Sequence, residues 1–559
     1  MILAGSIVGS GELIATTATG AAAGFVLLWL IVIGCVIKVF TQIELGRYTL
    51  ITGRTTLTAL NQVAGPRISL SCGRRRAEGN WILWFWFLMF LASLGQLGGI
   101  VGGVGQAVAI SLPLTDSGRA FNRALDARVQ LQVETARLRL LQDGADTEAR
   151  RTEVAELQAG LARLRPIVDR HQAQVEAQQA SGEARARLQR LESALAPGDQ
   201  SPFAAQLRRD VEHQRAELGQ LDQRLAEVGP PPESRDDKYW AAIIGLATII
   251  LLVSGRYRFI EVFSMVLVGT FTLITVGNLI ALQGYDEWAV KLSELFSGLS
   301  FRLPEASARQ QLAGITPLDT ALATFGIIGV GAAELVAYPY WCLEKGYARW
   351  AGDNDGSEAW ATRARGWMRV MHFDAWGSMA LYTLATVAFY LLGAAILHRT
   401  GLNPQGSEMI RTLSVMYDPV FGPTSKFIFL VGAIAVLYST FFVANAANTR
   451  LAADSIDALG LARLTPRARL GWIRVFGVLF PTACVIVYCL LPKPVTLILL
   501  SGVMQALLLP MLGAAALVFR YRHGDPRLAP SRLWDLCLWL SFAAFLVVGV
   551  YLAYSKLLG

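Results

Sequence analysis

Apolar runs long enough to cross a bilayer recur along this sequence, and nothing else constrains its fold as strongly. They cover residues 2–22, 25–50, 81–114, 239–255, 259–282, 322–343, 375–397, 427–447, 472–491, 495–519 and 534–554. A span needs about twenty apolar residues, because inside lipid each helix must satisfy its own backbone N–H and C=O groups. Of 559 residues, 53% are hydrophobic and 16% charged, and the mean hydropathy is +0.43. That excludes an ordinary soluble enzyme and predicts an all-α polytopic membrane protein. The first ten runs make two sets of five in inverted topology; the eleventh is an addition.

Arginine and lysine orient the runs. They gather in alternate links: Arg54, Arg67, Arg74, Arg75 and Arg76 after the second run, Arg256 and Arg258 after the fourth, and Lys345, Arg349, Arg363, Arg365 and Arg369 after the sixth. Arg463, Arg467 and Arg469 follow the eighth run, and Arg520, Arg522 and Arg527 the tenth. Positive charge stays on the cytoplasmic side, so the N-terminus reads as cytoplasmic and the C-terminus as external, in a multi-pass protein of a bacterial inner membrane. The net charge of +8 is spent on these links and does not point to nucleic acid. Lys38 is the first positive charge, so no cleavable signal is read. The cysteines (Cys35, Cys72, Cys342, Cys484, Cys489 and Cys537) fall in apolar runs or cytoplasmic links, which argues against a disulfide framework.

Within the first run, Gly9-Ser10-Gly11-Glu12 interrupts the apolar pattern. Only about eight residues precede it, fewer than a span requires. Glycine and serine are weak helix formers, and a carboxylate at membrane depth faces a cavity, a partner or an ion. The pattern returns at Gly331-Ala332-Ala333-Glu334 in the sixth run, with Val-to-Ala flanks that align residue for residue. Two glycine-interrupted segments at matching places in two halves are the best sequence pointer to a transporter binding site. The plainer reading is that the glycines permit close helix packing and each glutamate pairs with a buried base; the repetition favours function. Glu12 and Glu334 are then the expected ligands, Gly9 and Gly331 line the site, and Ser10, Gly11, Ala332 and Ala333 break the helices.

Residues 116–237 are foreign to the rest: polar, rich in arginine and glutamine, nearly free of aromatics. Val154, Leu157, Leu161, Leu164 and Val168 keep 3-4 spacing, as do Leu207, Val211, Gln214, Leu218, Leu221, Leu225 and Val228. Leu188, Leu191 and Leu195 add a short stripe. This predicts an inserted helical coiled-coil hairpin, turning at Gly144, Gly182 and Pro197-Gly198, between membrane segments 1–115 and 238–559. It follows the third run, so it is expected outside the cytoplasm. It reads as a tolerated loop insertion before a surface for a protein partner.

Other polar residues invite two readings each. Glu44 and Arg47, three apart on one helical face, make an intramembrane ion pair or, more sharply, a proton relay. His372 and Asp374 cap the seventh run, though Asp374 would also serve a relay. Asn445, Asn448 and Thr449 suit interhelical hydrogen bonding. Ser501 and Gln505, ahead of Pro510, either line the pathway or hold helices together. His171 and His213 lack metal-ligand spacing and read as solvated. No P-loop, HExxH or Ser/His/Asp signature occurs, so neither an enzyme nor an ATP-driven pump is expected, and no cofactor.

Several stretches resemble one family. Gly20-Ala21-Ala22-Ala23-Gly24-Phe25, Leu27-Leu28-Trp29, Leu45-Gly46-Arg47-Tyr48 and Ile51-Thr52-Gly53-Arg54 are similar to the first two helices of natural resistance-associated macrophage proteins (NRAMP). Arg369 with Asp374 resembles the entry to that family's seventh helix, and Ser501 with Leu509-Pro510 its tenth. The resemblance implies the leucine-transporter fold and proton-coupled carriage of divalent metal ions. The motifs depart from the family at the site. Gly9-Ser10-Gly11-Glu12 stands where the family has Asp-Pro-Gly-Asn, and Gly331-Ala332-Ala333-Glu334 where it has Met-Pro-His-Asn. Gln96 and Gly98 occupy the region of its acidic third-helix residue. Glutamates without the thioether favour a hard cation held through oxygen, and paired carboxylates can exchange protons. The expected function is a divalent-cation carrier of the Mn²⁺, Fe²⁺ or Mg²⁺ type in the lipid bilayer. Alternatives are a proton-coupled carrier of a small organic solute, or a non-transporting receptor or scaffold working through the coiled coil.

Overall fold

The computed structural model describes residues 9–72, 75–142, 148–195, 202–255, 258–304 and 316–557. Residues 2–8 of the first apolar run, and the turn positions Gly144 and Pro197-Gly198, lie outside the described residues. The chain divides into two compact units, Met1–Ser111 with Asp237–Gly559, and Leu112–Asp236.

In the first unit a π-helical turn, Gly11–Thr16, runs on into the helix Thr17–Ala23; together they are α1. Leu28–Thr52 is α2. A hairpin of β1 (Arg67–Cys72) and β2 (Arg75–Asn80), which hydropathy does not signal, leads into α3, Trp81–Ser111. The second unit holds α4 (Asp116–Gln142), α5 (Glu148–Ala194) and α6 (Pro202–Val228). The first unit resumes with α7 (Asp236–Ser254), α8 (Arg258–Leu282), α9 (Pro317–Ile327), α10 (Ala332–Glu344) and α11 (Glu358–Leu392). It ends with α12 (Ser425–Ala458), α13 (Pro466–Leu490), α14 (Pro494–Arg522) and α15 (Arg532–Leu557).

Among the described residues ten helical segments are long and apolar enough to cross a membrane, counting α9 with α10 as one; α1 precedes them. Their packing repeats itself. α1 packs on α11 as α10 packs on α2, and α3 meets α14 as α12 meets α8. α2 packs on its own counterpart α11, and α3 on its counterpart α12. This exchange is that of two five-span sets. Five is odd, so the second set starts on the opposite face from the first, which makes the repeat inverted. α15 stands outside it and packs on α14 and α2.

The second unit is three helices rather than a two-helix hairpin: α5 packs on both α4 and α6. Gly182, expected at a turn, is helical inside the 47-residue α5. One glycine costs a helix only about 1 kcal/mol, which packing on two neighbours offsets. His171, read as solvated, is buried at 9% exposure, because it lies three residues beyond Val168 on the apolar seam.

One link between membrane helices is tied by charge. Asp525, between α14 and α15, accepts from Arg527 Nη2 at 2.7 Å and Nε at 3.0 Å, and from Asn354 Nδ2 at 3.3 Å. Arg527 Nη1 donates to the carbonyls of Gly356 and Ser357 ahead of α11. The Arg527 guanidinium holds the Asp525 carboxyl at about 2, well below the usual carboxylate range. A depressed folded value stabilises fully above the unfolded value near 4 and is lost as pH falls towards 2. Asp525→Asn should therefore lower the melting temperature at neutral pH, and the gap from the parent protein should close between pH 4 and 2.

Candidate functional site

The two interruptions meet at the centre of the first unit. α9 ends at Ile327, and Ile328–Gly331 are non-helical before α10 begins. Ala332 and Ala333, expected to break the helix, are instead the first residues of α10, and the non-helical stretch starts four residues before Ala332. Ser10 and Gly11, expected to break the first helix, are themselves helical, with Gly11 opening the π-helical turn of α1. Alanine is the best helix former, whereas Gly329 takes φ +59°, where side chains are strained. On the other side Gly11 lies so close to the end of α9 that a Cβ there would sit 2.9 Å from the Ile327 carbonyl oxygen. Thr19 and Thr324 hydroxyls, 2.8 Å apart, hold α1 against α9.

Glu12 spans both interruptions. Its Oε2 accepts from the Gly9 N–H at 2.8 Å and its Oε1 from the Gly329 N–H at 3.0 Å. Only 1% of the residue is exposed. Burying a carboxylate costs several kcal/mol, and hydrogen bonds to a charge return about 1.5–3 kcal/mol each, so both are needed. The Gly9 N–H just ahead of α1 and the Gly329 N–H in the non-helical segment supply them.

The opposite charge comes from α2. Lys38, fully buried at 0% exposure, donates from Nζ to the carbonyls of Phe325 and Ile328, the second at 2.8 Å. Its ammonium also lies 5.1 Å from the centroid of the Phe325 ring. The Ile328 carbonyl and the Gly329 N–H belong to one peptide group. Lys38 therefore holds its oxygen while Glu12 holds its hydrogen.

Glu334 sits in the first turn of α10, where the helix dipole favours a negative charge. Its Oε2 is buried without a hydrogen-bond partner. A Cβ added to Gly331 would meet that oxygen at 2.5 Å and Gln505 Oε1 at 2.8 Å. The two glutamates thus reach the same short segment two residues apart, Glu12 at Gly329 and Glu334 over Gly331.

An amide and hydroxyl network closes the far side. Gln505 Oε1 accepts from the Ala333 N–H at 3.1 Å, capping α10. Gln505 Nε2 donates to Gln96 Oε1 at 2.8 Å and to Ser501 Oγ at 3.2 Å. Ser501 Oγ donates to Gln96 Oε1 at 3.0 Å, and Gln96 Nε2 donates to Ser10 Oγ at 3.4 Å. α1, α3, α10 and α14 are joined in one chain of polar contacts.

Glu44, Arg47 and Asp374 are not brought to the breaks. Glu44 lies six residues beyond Lys38, about 9 Å of helix rise. Glu44 and Arg47 form an ion pair at 3.3 Å. Trp534 Nε1 donates to Glu44 Oε1 at 2.6 Å, and Arg47 Nη1 donates to the Leu528 carbonyl at 2.9 Å, so the pair anchors α15. Asp374, half-buried on α11, lies three residues from Met371, which meets Gly46. Lys38, Gln96 and Gly329 are the participants that the sequence reading did not assign to the site. A single lysine or glutamine deep in an apolar run was the available signal.

A family model described as natural resistance-associated macrophage protein-like matches residues 234–555, more than half of the chain. A mutant of the Eremococcus coleocola manganese transporter superposes with a TM-score of 0.48 at 13% identity, covering 99% of this chain and 86% of that one. MhsT in complex with L-phenylalanine gives 0.44 at 15% identity, covering 98% and 97%. No curated protein matches the sequence.

Glu12→Gln places an amide NH₂ against one of the two N–H donors. We expect a loss of about 1–3 kcal/mol, read as a lower melting temperature in detergent.

Proposed function

The chain belongs to the natural resistance-associated macrophage protein-like family, and from that premise we propose that it is a secondary-active carrier of a hard divalent cation. The cation binds between α1 and the α9–α10 break, with Glu334 and Glu12 as its charged ligands. The observation that carries this reading is the Glu334 Oε2: a buried carboxylate oxygen with no partner, over a gap in the helix and beside the segment that Glu12 holds. The neighbouring side-chain groups are Ser10, Ser501, Gln96 and Gln505, all able to offer oxygen. Carboxylate, amide and hydroxyl oxygens suit Mg²⁺ and Mn²⁺ better than softer ions.

Among the described residues no three His, Cys, Asp or Glu side chains converge as a ligand set. Two carboxylates suit a cargo that must leave again, since few charged ligands mean weaker binding. Ligands must be deprotonated to hold a cation, so uptake of the ion releases protons from the carboxylate pair and links transport to pH. Recruiting Glu12 to the ion withdraws it from the Gly329 N–H. That frees the segment between α9 and α10 to move, as alternating access requires.

Purified protein in liposomes should take up Mn²⁺ or Mg²⁺ in preference to Ca²⁺, whose larger coordination shell needs more oxygens. The double variant Glu12→Gln/Glu334→Gln, checked as folded by size-exclusion chromatography, should lose uptake. No divalent uptake under a pH gradient of either sign would overturn the proposal.

A further inference from the structure

We propose that Lys38 is a tethered cation: its ammonium permanently fills, at the C-terminal end of α9, a site that would otherwise take a free monovalent cation. The inference stands apart from the identity of the transported substrate. The last carbonyls of a helix lack intrahelical donors, and the helix dipole makes that end negative. At broken-helix sites such ends coordinate Na⁺ or H⁺. Here α9 ends in the middle of the protein, and the acceptors at its end, the Phe325 and Ile328 carbonyls, receive hydrogen bonds from Nζ. The Phe325 ring adds a third face, 5.1 Å from the ammonium. Two carbonyls and an aromatic face, closed from solvent, make a cation site in their own right.

The surroundings are shaped to admit the lysine stem. Gly34 lies one turn earlier on α2. A Cβ there would come within 2.8 Å of the Phe325 ring and 2.9 Å of Ile328 Cδ1. Glycine at that position lets both residues close over the stem. The far side of the Ile328–Gly329 peptide is held by Glu12, so the ammonium sits opposite a carboxylate across one polarised peptide group. A full charge on a flexible four-carbon stem is costly to bury. Its retention at 0% exposure follows from the carbonyls, which would be unsatisfied acceptors without it.

The test uses full-length protein in detergent and reads melting temperature, with Lys38→Ala and Lys38→Met compared. Lys38→Ala removes three methylenes and the ammonium, which n-propylammonium restores. The expected result is a destabilised Lys38→Ala whose melting temperature rises by ~5 °C with n-propylammonium, and also with Na⁺ or K⁺. Tetramethylammonium, which cannot donate a hydrogen bond, should not rescue, and the parent protein should respond to none of these. Lys38→Met fills the space without charge, so it should be destabilised and insensitive to cations. If Lys38→Ala folds only with n-propylammonium and unfolds on its dilution, the proposal is supported. A Lys38→Met as stable as the parent, or a folded Lys38→Ala indifferent to every cation, would overturn it. So would a Lys38→Ala that fails to fold with n-propylammonium present while Lys38→Met folds.

Discussion

One peptide group, between Ile328 and Gly329, carries the arrangement at the centre of this protein. A lysine ammonium holds its carbonyl and a glutamate carboxylate holds its N–H. The constraint behind it is general: a helix interrupted within a bilayer exposes donors and acceptors that lipid cannot satisfy. Most membrane helices avoid the problem by not breaking. Here one peptide group beyond the end of α9 exposes both a donor and an acceptor, and a buried anion and a buried cation serve them; each charge finds a partner that it could not find in lipid.

The rest of the first unit holds that gap in register. α1 and α9 approach closely at Gly11 and at the Thr19–Thr324 contact. α14 brings Gln505 to the Ala333 N–H of α10, and Gln96 from α3 and Ser501 hold its amide. The non-helical Ile328–Gly331 segment lies among helices that pack across the two five-span sets. The Glu44–Arg47 pair is a different device. With Trp534 and the Leu528 carbonyl it secures α15, the helix outside the repeat, to α2.

Much of this was legible in residue type and spacing. Glu12, Glu334, Ser501 and Gln505 stood out because a polar side chain in an apolar run needs a reason, and the matching glycines named the place. Resemblance in the first two helices pointed to the family that the match over residues 234–555 supports. The less legible parts share one physical cause. Lys38 and Gln96 are also polar residues in apolar runs, yet a lone residue says nothing about which helix it faces. The same ambiguity made His171 look solvated and Gly182 look like a turn, because burial and helix length in the second unit depend on neighbouring helices. The second break fell at Ile328–Gly331 because backbone satisfaction across α1, α2 and α9, rather than local propensity alone, chose where α10 could start.

By itself the sequence determined that this chain crosses a membrane many times, in two related halves, each with a carboxylate beside a glycine. Those features follow from hydropathy and spacing, which are local. Only the tertiary structure decided that Glu12 reaches across to Gly329, that Lys38 holds the end of α9, and that Gln505 caps α10. Those pairings join residues 172 to 317 positions apart. They depend on helix rotation and depth to within a hydrogen bond's length, which no periodicity along a single chain can encode.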